Sequence, residues 1–151
     1  MPSLLALPLL VAQLTTSPPS LPQHLAINAT TLREFPRKHV HAVDEQGNDA
    51  EYSGVSLRDL LTKMGVPAGH AIRGKLMQTI VVVAGSDGYR VAFSISELDP
   101  SFTDRIVLVA ELRAGAPFSA LEGPYRLIVP GEKRGARWAR QVTEVDVEGA
   151  P

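Results

Sequence analysis

No cysteine stands among the 151 residues, and no other absence excludes as much. Disulfides, thiolate metal sites, iron–sulfur clusters and cysteine nucleophiles all go with it. Aromatic residues are scarce at 5%, and the single tryptophan, Trp138, is therefore conspicuous. An excess of one charge is missing too. Fifteen Lys and Arg face 16 Asp and Glu, a net of −1, which gives the chain no overall pull on nucleic acid or on an acidic membrane surface. Anion binding has to come from a local patch. No apolar run is long enough to span a bilayer. The patterns of a P-loop, a dinucleotide-binding turn, a zinc-protease helix and an EF-hand loop are absent, and no triad or ligand set supports a serine or metal hydrolase.

What remains suits one domain. Hydrophobic residues make up 44% and charged residues 21%, an ordinary balance for a chain that buries a core. The first twenty residues differ from the rest. The apolar run Leu4-Leu5-Ala6-Leu7-Pro8-Leu9-Leu10-Val11-Ala12 precedes the polar, proline-rich Thr15-Thr16-Ser17-Pro18-Pro19-Ser20. That order is the one found in secretory signals. The expectation is an exported chain, periplasmic or secreted, with residues 1–20 as leader and 21–151 as the folded domain. The alternative is a disordered leader on a cytoplasmic protein.

Along the folded part, Leu25, Ile27 and Ala29 alternate as in a short strand. Thr31 and Glu34 make a capping-box pair for a short helix that Pro36 stops. Lys38–Val43 reads as a strand and Asp44-Glu45-Gln46-Gly47-Asn48-Asp49 as a turn. Leu57, Leu60, Leu61 and Met64 fall on one helical face, with Ser56 to cap the start, Gly65 at the end and Pro67 beyond. This predicts a helix over 56–64. The β-branched stretch 79–84, the loop Gly85-Ser86-Asp87-Gly88 and the alternating Tyr89, Val91 and Phe93 predict a hairpin. Ser94 and Glu97 form a second capping box. Strands follow over 105–112, 125–129 and 143–147, with turns at Ala114-Gly115 and Pro130-Gly131. About seven strands and two or three short helices, in no βαβ order, predict an α+β domain on a mixed β-sheet, with helix 56–64 covering one face.

The segment Pro130-Gly131-Glu132-Lys133-Arg134-Gly135-Ala136-Arg137-Trp138-Ala139-Arg140 carries the densest chemistry. Four cations fall within eight residues, and two glycines let the backbone turn and approach a ligand. Arginine grips a phosphate with two parallel hydrogen bonds and keeps its charge. An indole beside guanidinium groups can wall a pocket for a flat ring. The competing reading is a solvated basic turn whose tryptophan plugs the core. In the loop Gly85-Ser86-Asp87-Gly88-Tyr89, backbone N–H groups or the Asp87 carboxylate can face a ligand, against the plain reading of a hairpin turn. His39 and His41 share a strand face, but no third ligand follows at a suitable spacing, so no metal site is assigned. His24 and His70 carry no spacing signal.

Three segments, in order, resemble the sulfite-oxidase-type molybdopterin-binding domain: Tyr52-Ser53-Gly54-Val55-Ser56-Leu57-Arg58-Asp59-Leu60-Leu61, then Asp87-Gly88-Tyr89 through Phe93-Ser94, and Leu127-Ile128-Val129-Pro130-Gly131 with Gly135-Ala136-Arg137-Trp138. The likeness spans roughly residues 25–148. It implies an α+β fold and a pocket in which Arg134, Gly135, Arg137, Trp138 and Arg140 contact the pterin cofactor. By the same likeness Arg137 and Arg140 would hold the phosphate, Trp138 would wall the pterin, and Asp87 and Tyr89 would stand at the mouth, facing a small substrate. The family's molybdenum-ligating cysteine would fall in residues 43–48, where this chain has none. The resemblance is therefore to a short stand-alone version of the domain without that thiolate. The implied ligand is molybdopterin, or another small anion. The implied activity is that of an exported oxidoreductase, or a component of one working with an envelope or redox partner. The alternative is a non-catalytic binding module of the envelope that has lost the metal site.

Overall fold

A computed structural model describes residues 23–149; the expected leader lies outside them. Eleven helices and strands carry the fold. They are β1 (Gln23–Ala26), α1 (Ala29–Arg33), β2 (Lys38–Val43), β3 (Asp49–Ser56), α2 (Leu57–Lys63), β4 (Ile80–Gly85), β5 (Arg90–Ser94), β6 (Leu108–Arg113), β7 (Ala116–Pro117), β8 (Arg126–Ile128) and β9 (Val142–Glu148). Single 3-10 turns occur at Gly69–Ala71, Gly74–Gln78, Ile95–Leu98 and Gly135–Arg137.

The class is α+β. The strands divide between two sheets rather than forming one mixed sheet, and every described pairing is antiparallel. One sheet runs β1-β9-β4-β5. In the other, β2-β3-β6 continues into β7 and β8, which pair with different parts of β6. A single apolar core joins them, drawing Val81, Val83, Phe93, Val145 and Val147 from the first sheet and Val55, Leu108, Val109, Leu127 and Ile128 from the second.

Local chemistry explains most boundaries. Helix α2 buries Leu57, Leu60 and Leu61, and Ser56 Oγ accepts the Asp59 N–H at 3.2 Å. Its end is a paired cap. Gly65, at φ 78, donates to Thr62, and Val66 donates to Leu61, which satisfies two carbonyls that would otherwise be left over. The Ser94–Glu97 capping box forms as expected. In α1 the cap is Asn28, not Thr31: Asn28 Oδ1 accepts the Thr31 N–H at 3.0 Å, so the helix starts three residues earlier than the capping-box pattern places it.

Strand β3 is the main element that the pattern does not predict. It follows the Asp44–Asn48 turn as the return arm of a hairpin with β2, and it then pairs with β6 through a bulge between Ser53 and Gly54. Gly54 is obligatory there, because a Cβ would overlap the carbonyl oxygen of Val109. The glycine in the Ser53-Gly54-Val55 segment therefore serves strand packing. Strand β6 starts at Leu108 rather than at Arg105, since the Arg105 N–H turns back onto Thr103 Oγ1 and its side chain leaves the sheet for Glu97 and Glu132. No described helix is long and apolar enough to cross a membrane.

Candidate functional site

Residues 130–140 connect β8 to β9. Gly131 turns at φ 81, in the left-handed region that glycine enters without strain. The turn Gly135–Arg137 closes with the Trp138 N–H on the Gly135 carbonyl. Such tight winding sends neighbouring side chains in different directions, and the four cations and the indole do not all surround one ligand.

Trp138 points inward. It is 4% exposed, its Nε1 donates to the Val129 carbonyl at 3.0 Å, and its ring meets Tyr52 edge-on at 5.7 Å. Of the two readings of this residue, the geometry fits the core plug. An indole with its donor satisfied and its face packed presents little more than a rim to a flat ring, which corrects the expectation that it walls a pterin.

Arg137 also turns to the protein. Its Nε donates to Glu132 Oε1 at 2.9 Å, its Nη2 bonds both Glu132 and Glu97 (3.0 Å to the latter), and its Nη1 reaches the Ala92 carbonyl at 3.0 Å. The guanidinium lies 4.3 Å from the centre of the Phe93 ring. Arg105 brings a second cation to the same carboxylates, 3.5 Å from Glu97 and 3.7 Å from Glu132. Burial pushes the Glu97 carboxyl up, but the Arg137 hydrogen bond and the Ser94 N–H outweigh it and hold the group below its usual value. Burial likewise opposes the Arg137 charge and is outweighed by Glu132 and Glu97, which raise its pKa. Arg137 is thus a clamp for the loop, making four hydrogen bonds with its five N–H donors, and a phosphate there would have to displace two carboxylates.

Five of the seven candidates do meet. Asp87, Tyr89, Gly135, Trp138 and Arg140 border one open, polar depression of about 260 Å³, with Ala136 and Ala139. The hairpin and the loop are locked together to form it. Tyr89 Oη donates to the Ala136 carbonyl at 2.6 Å. The Ser86 N–H donates to the Gln141 carbonyl at 2.9 Å and Ser86 Oγ to Gln141 Oε1 at 2.6 Å. Gly85 presses so closely on the Arg140 carbonyl that no Cβ fits. Asp87 Oδ1 accepts the Tyr89 N–H at 3.0 Å and shapes the hairpin tip. Arg140 is exposed, with no ion pair among the described residues. Arg134 sits apart from the depression, 86% exposed, with Glu45 at 3.9 Å.

Residues 43–48, where the resemblance places a thiolate, form the β2–β3 turn. Asp44 organises it by accepting the N–H groups of Asn48 and Gln46 and the Asn48 side chain. The Asn48 bonds lead in holding its carboxyl below the ordinary range. A second open groove of about 550 Å³ runs between this turn and the loop, past His41, Asp49, Glu132 and Lys133. His39 pairs with Glu51 at 3.2 Å and His41 with Asp49 at 3.7 Å. Among the described residues no three His, Asp or Glu side chains are placed to hold a metal ion.

Sequence reasoning missed three residues. Glu97 and Glu132 own Arg137, and the one acid inside the cationic loop was the available signal. Arg126 stands 5.7 Å from the Trp138 ring centre and pairs with Glu122, while its buried Nε has no partner. It follows Tyr125 in an apolar strand, where no spacing singles it out.

In charge and polarity the hollow suits the phosphate-bearing end of a pterin cofactor through Arg140, which has no ion pair among the described residues, with the Asp87 carboxylate as the one opposing charge in its lining. The residues present offer no thiolate to a metal, for the chain has no cysteine. A search of the curated proteins finds no match. The family model described as oxidoreductase molybdopterin binding domain matches residues 11–151, and the chain belongs to that family.

Proposed function

We propose that the chain holds the phosphate-bearing end of molybdopterin in the depression between Tyr89 and Arg140, and that it works in the cell envelope as an oxidoreductase or as the cofactor-holding part of one. One observation carries this reading. The Tyr89–Ala136 hydrogen bond joins segments 47 residues apart, so two of the three family-like motifs wall one polar hollow with an unpaired arginine at its rim. Arg140 grips the phosphate through paired N–H donors, and Arg134 adds charge from solvent. Asp87 and Tyr89 face the mouth, where a small substrate would stand. Arg137 contributes from behind, by fixing the loop. When bound, the cofactor supplies the redox chemistry, with any metal carried on its own dithiolene sulfurs. The Cys-ligated form of sulfite oxidation is not proposed. The apolar run 4–12 ahead of residues 15–20 supports export.

The test is elemental and pterin analysis of the full chain purified from a host that makes the cofactor. The expected result is close to one pterin per chain, with occupancy falling at least tenfold in Arg140→Ala at an unchanged melting temperature. Wild-type protein free of pterin, molybdenum and tungsten overturns the reading.

A second reading is that the same depression holds a different small anion and the chain is not catalytic. The missing thiolate and the inward-facing indole favour it. In that case inorganic pyrophosphate binds the pterin-free protein, and Arg140→Ala abolishes the binding.

A further inference from the structure

A further cavity, lined in part by Arg105, shares no lining residue with the depression that Tyr89 and Arg140 border. It measures about 260 Å³ and is the more enclosed and more apolar of the two. Leu98, Pro100, Ile106 and Val107 make its apolar surface, and Lys38, Arg58, Asp59 and Arg105 stand around it. Its volume is just below the range of about 300–1,000 Å³ typical of drug-sized ligands, and its make-up, apolar with a few polar groups, is that of a ligand pocket.

Two lining residues carry polar atoms that the fold leaves unsatisfied. Asp59 Oδ2 and Arg105 Nε are buried and have no hydrogen-bond partner. An unpaired buried polar atom costs free energy, and a native structure that keeps two of them on one cavity calls for a partner. Arg105 Nη2 faces Glu97 at 3.5 Å and Nη1 faces Glu132 at 3.7 Å, while its Nε–H has no acceptor. Lys38 Nζ stands 3.9 Å from Asp59 Oδ2, close enough to balance its charge and too far to hydrogen-bond it. The Asp59 side chain is 32% exposed and that of Arg105 is 25% exposed, and both residues line the cavity.

Apart from Asp104, which is exposed to solvent, the charges around the cavity cancel in pairs. Lys38 balances Asp59, and Arg58 balances the buried Asp99 at 3.7 Å. Arg105 and Arg137 balance Glu97 and Glu132. An ion entering an apolar cavity of this kind would lose its hydration, and the one lining charge without a partner, Asp104, is exposed to solvent, where its attraction is screened. A neutral molecule loses little and can satisfy both orphan atoms.

We propose that this cavity binds a small neutral molecule, an apolar body bearing one hydrogen-bond donor for Asp59 and one acceptor for Arg105, as in a primary or secondary carboxamide.

The test titrates the full chain with cyclohexanecarboxamide, and with cyclohexanecarboxylate and cyclohexylammonium as charged counterparts of the same shape, while amide signals are followed by NMR. The carboxamide is expected to shift Leu98, Thr103 and Val107 saturably, with an affinity at least tenfold above that of either ion. Ile106→Trp, a change at a half-exposed position on the cavity rim, is expected to abolish those shifts at an unchanged melting temperature. Arg105→Lys, which keeps the charge and removes the Nε donor, is expected to weaken them at least fivefold. Absence of saturable shifts with the carboxamide, shifts that survive Ile106→Trp, or equal binding of either ion would overturn the proposal.

Discussion

Trp138 Nε1 donates to the Val129 carbonyl 3.0 Å away, inside the core and nine residues back along the chain. The bond spans the base of the loop, so the loop's one aromatic residue is also its anchor. Trp138→Phe leaves the Val129 carbonyl without its donor, at a cost of about 1–3 kcal/mol. Trp138→Ala also empties a packed site against Tyr52 and costs about 3–5 kcal/mol. Urea denaturation followed by circular dichroism measures both. A loss of ligand affinity at full stability would show instead that the indole faces the ligand.

Arg137 serves the loop through four hydrogen bonds and its packing on Phe93. Arg137→Ala removes the cation shared by Glu97 and Glu132 and is expected to destabilise the protein by about 1–3 kcal/mol. Lysine cannot reproduce the planar fork, so Arg137→Lys recovers less than half of the loss. An unchanged melting temperature in the alanine variant would return Arg137 to the list of ligand contacts.

Gly54→Ala places a methyl group on the Val109 carbonyl and forces β3 away from β6. The expected outcome is a loss above about 4 kcal/mol, or no folded protein. Gly47→Ala is the control. Its φ of 87 strains any side chain, yet nothing lies within 4 Å, so it costs about 1–2 kcal/mol.

Acid should unfold the protein through a few identifiable carboxyls. Glu97, Asp99 and Asp44 are all held below their ordinary values, 4.5 for Glu97 and 3.8 for the two aspartates. Burial raises the Asp99 carboxyl, but the N–H groups of Ser101 and Gly69, with Arg58, outweigh it. Each group gives up its proton more readily in the folded chain than in the unfolded one. The stability it contributes is therefore fully present above the ordinary value and is lost as pH falls through the lower, folded value. Thermal melts from pH 7 to pH 2 should be flat down to about pH 5 and then fall steeply. Asp99→Asn should be less stable at pH 7 and show a shallower acid limb. An acid limb as steep as that of the wild type would remove Asp99 from the account.

Much of the fold is written in short-range pattern. The Leu57, Leu60 and Leu61 face, the Ser56 cap and Gly65 give α2 to within a residue at each end, and the Ser94–Glu97 box gives the turn after β5. These features depend on neighbours three or four positions apart. Strand β3 escaped because its Tyr52-Ser53-Gly54-Val55 stretch does not alternate. A bulge at Ser53–Gly54 breaks the two-residue period, and both neighbours of the strand, β2 and β6, must be known before Gly54 makes sense. The site was legible in the same partial way. Five of the seven residues that sequence singled out border one hollow. Sequence could not say which way consecutive side chains of a 3-10 turn would point.

Composition and spacing alone determined that no thiol chemistry takes place here, that the class is α+β, and that a glycine- and arginine-rich loop lies between the last two strands. Those conclusions need only residue counts and near-neighbour intervals. The tertiary structure decided that Arg137 is spent on Glu97 and Glu132, that Trp138 belongs to the core, and that Arg140 is exposed with no ion pair among the described residues. A charged or aromatic side chain takes the best partner within reach, and what lies within reach is set by strands distant in sequence.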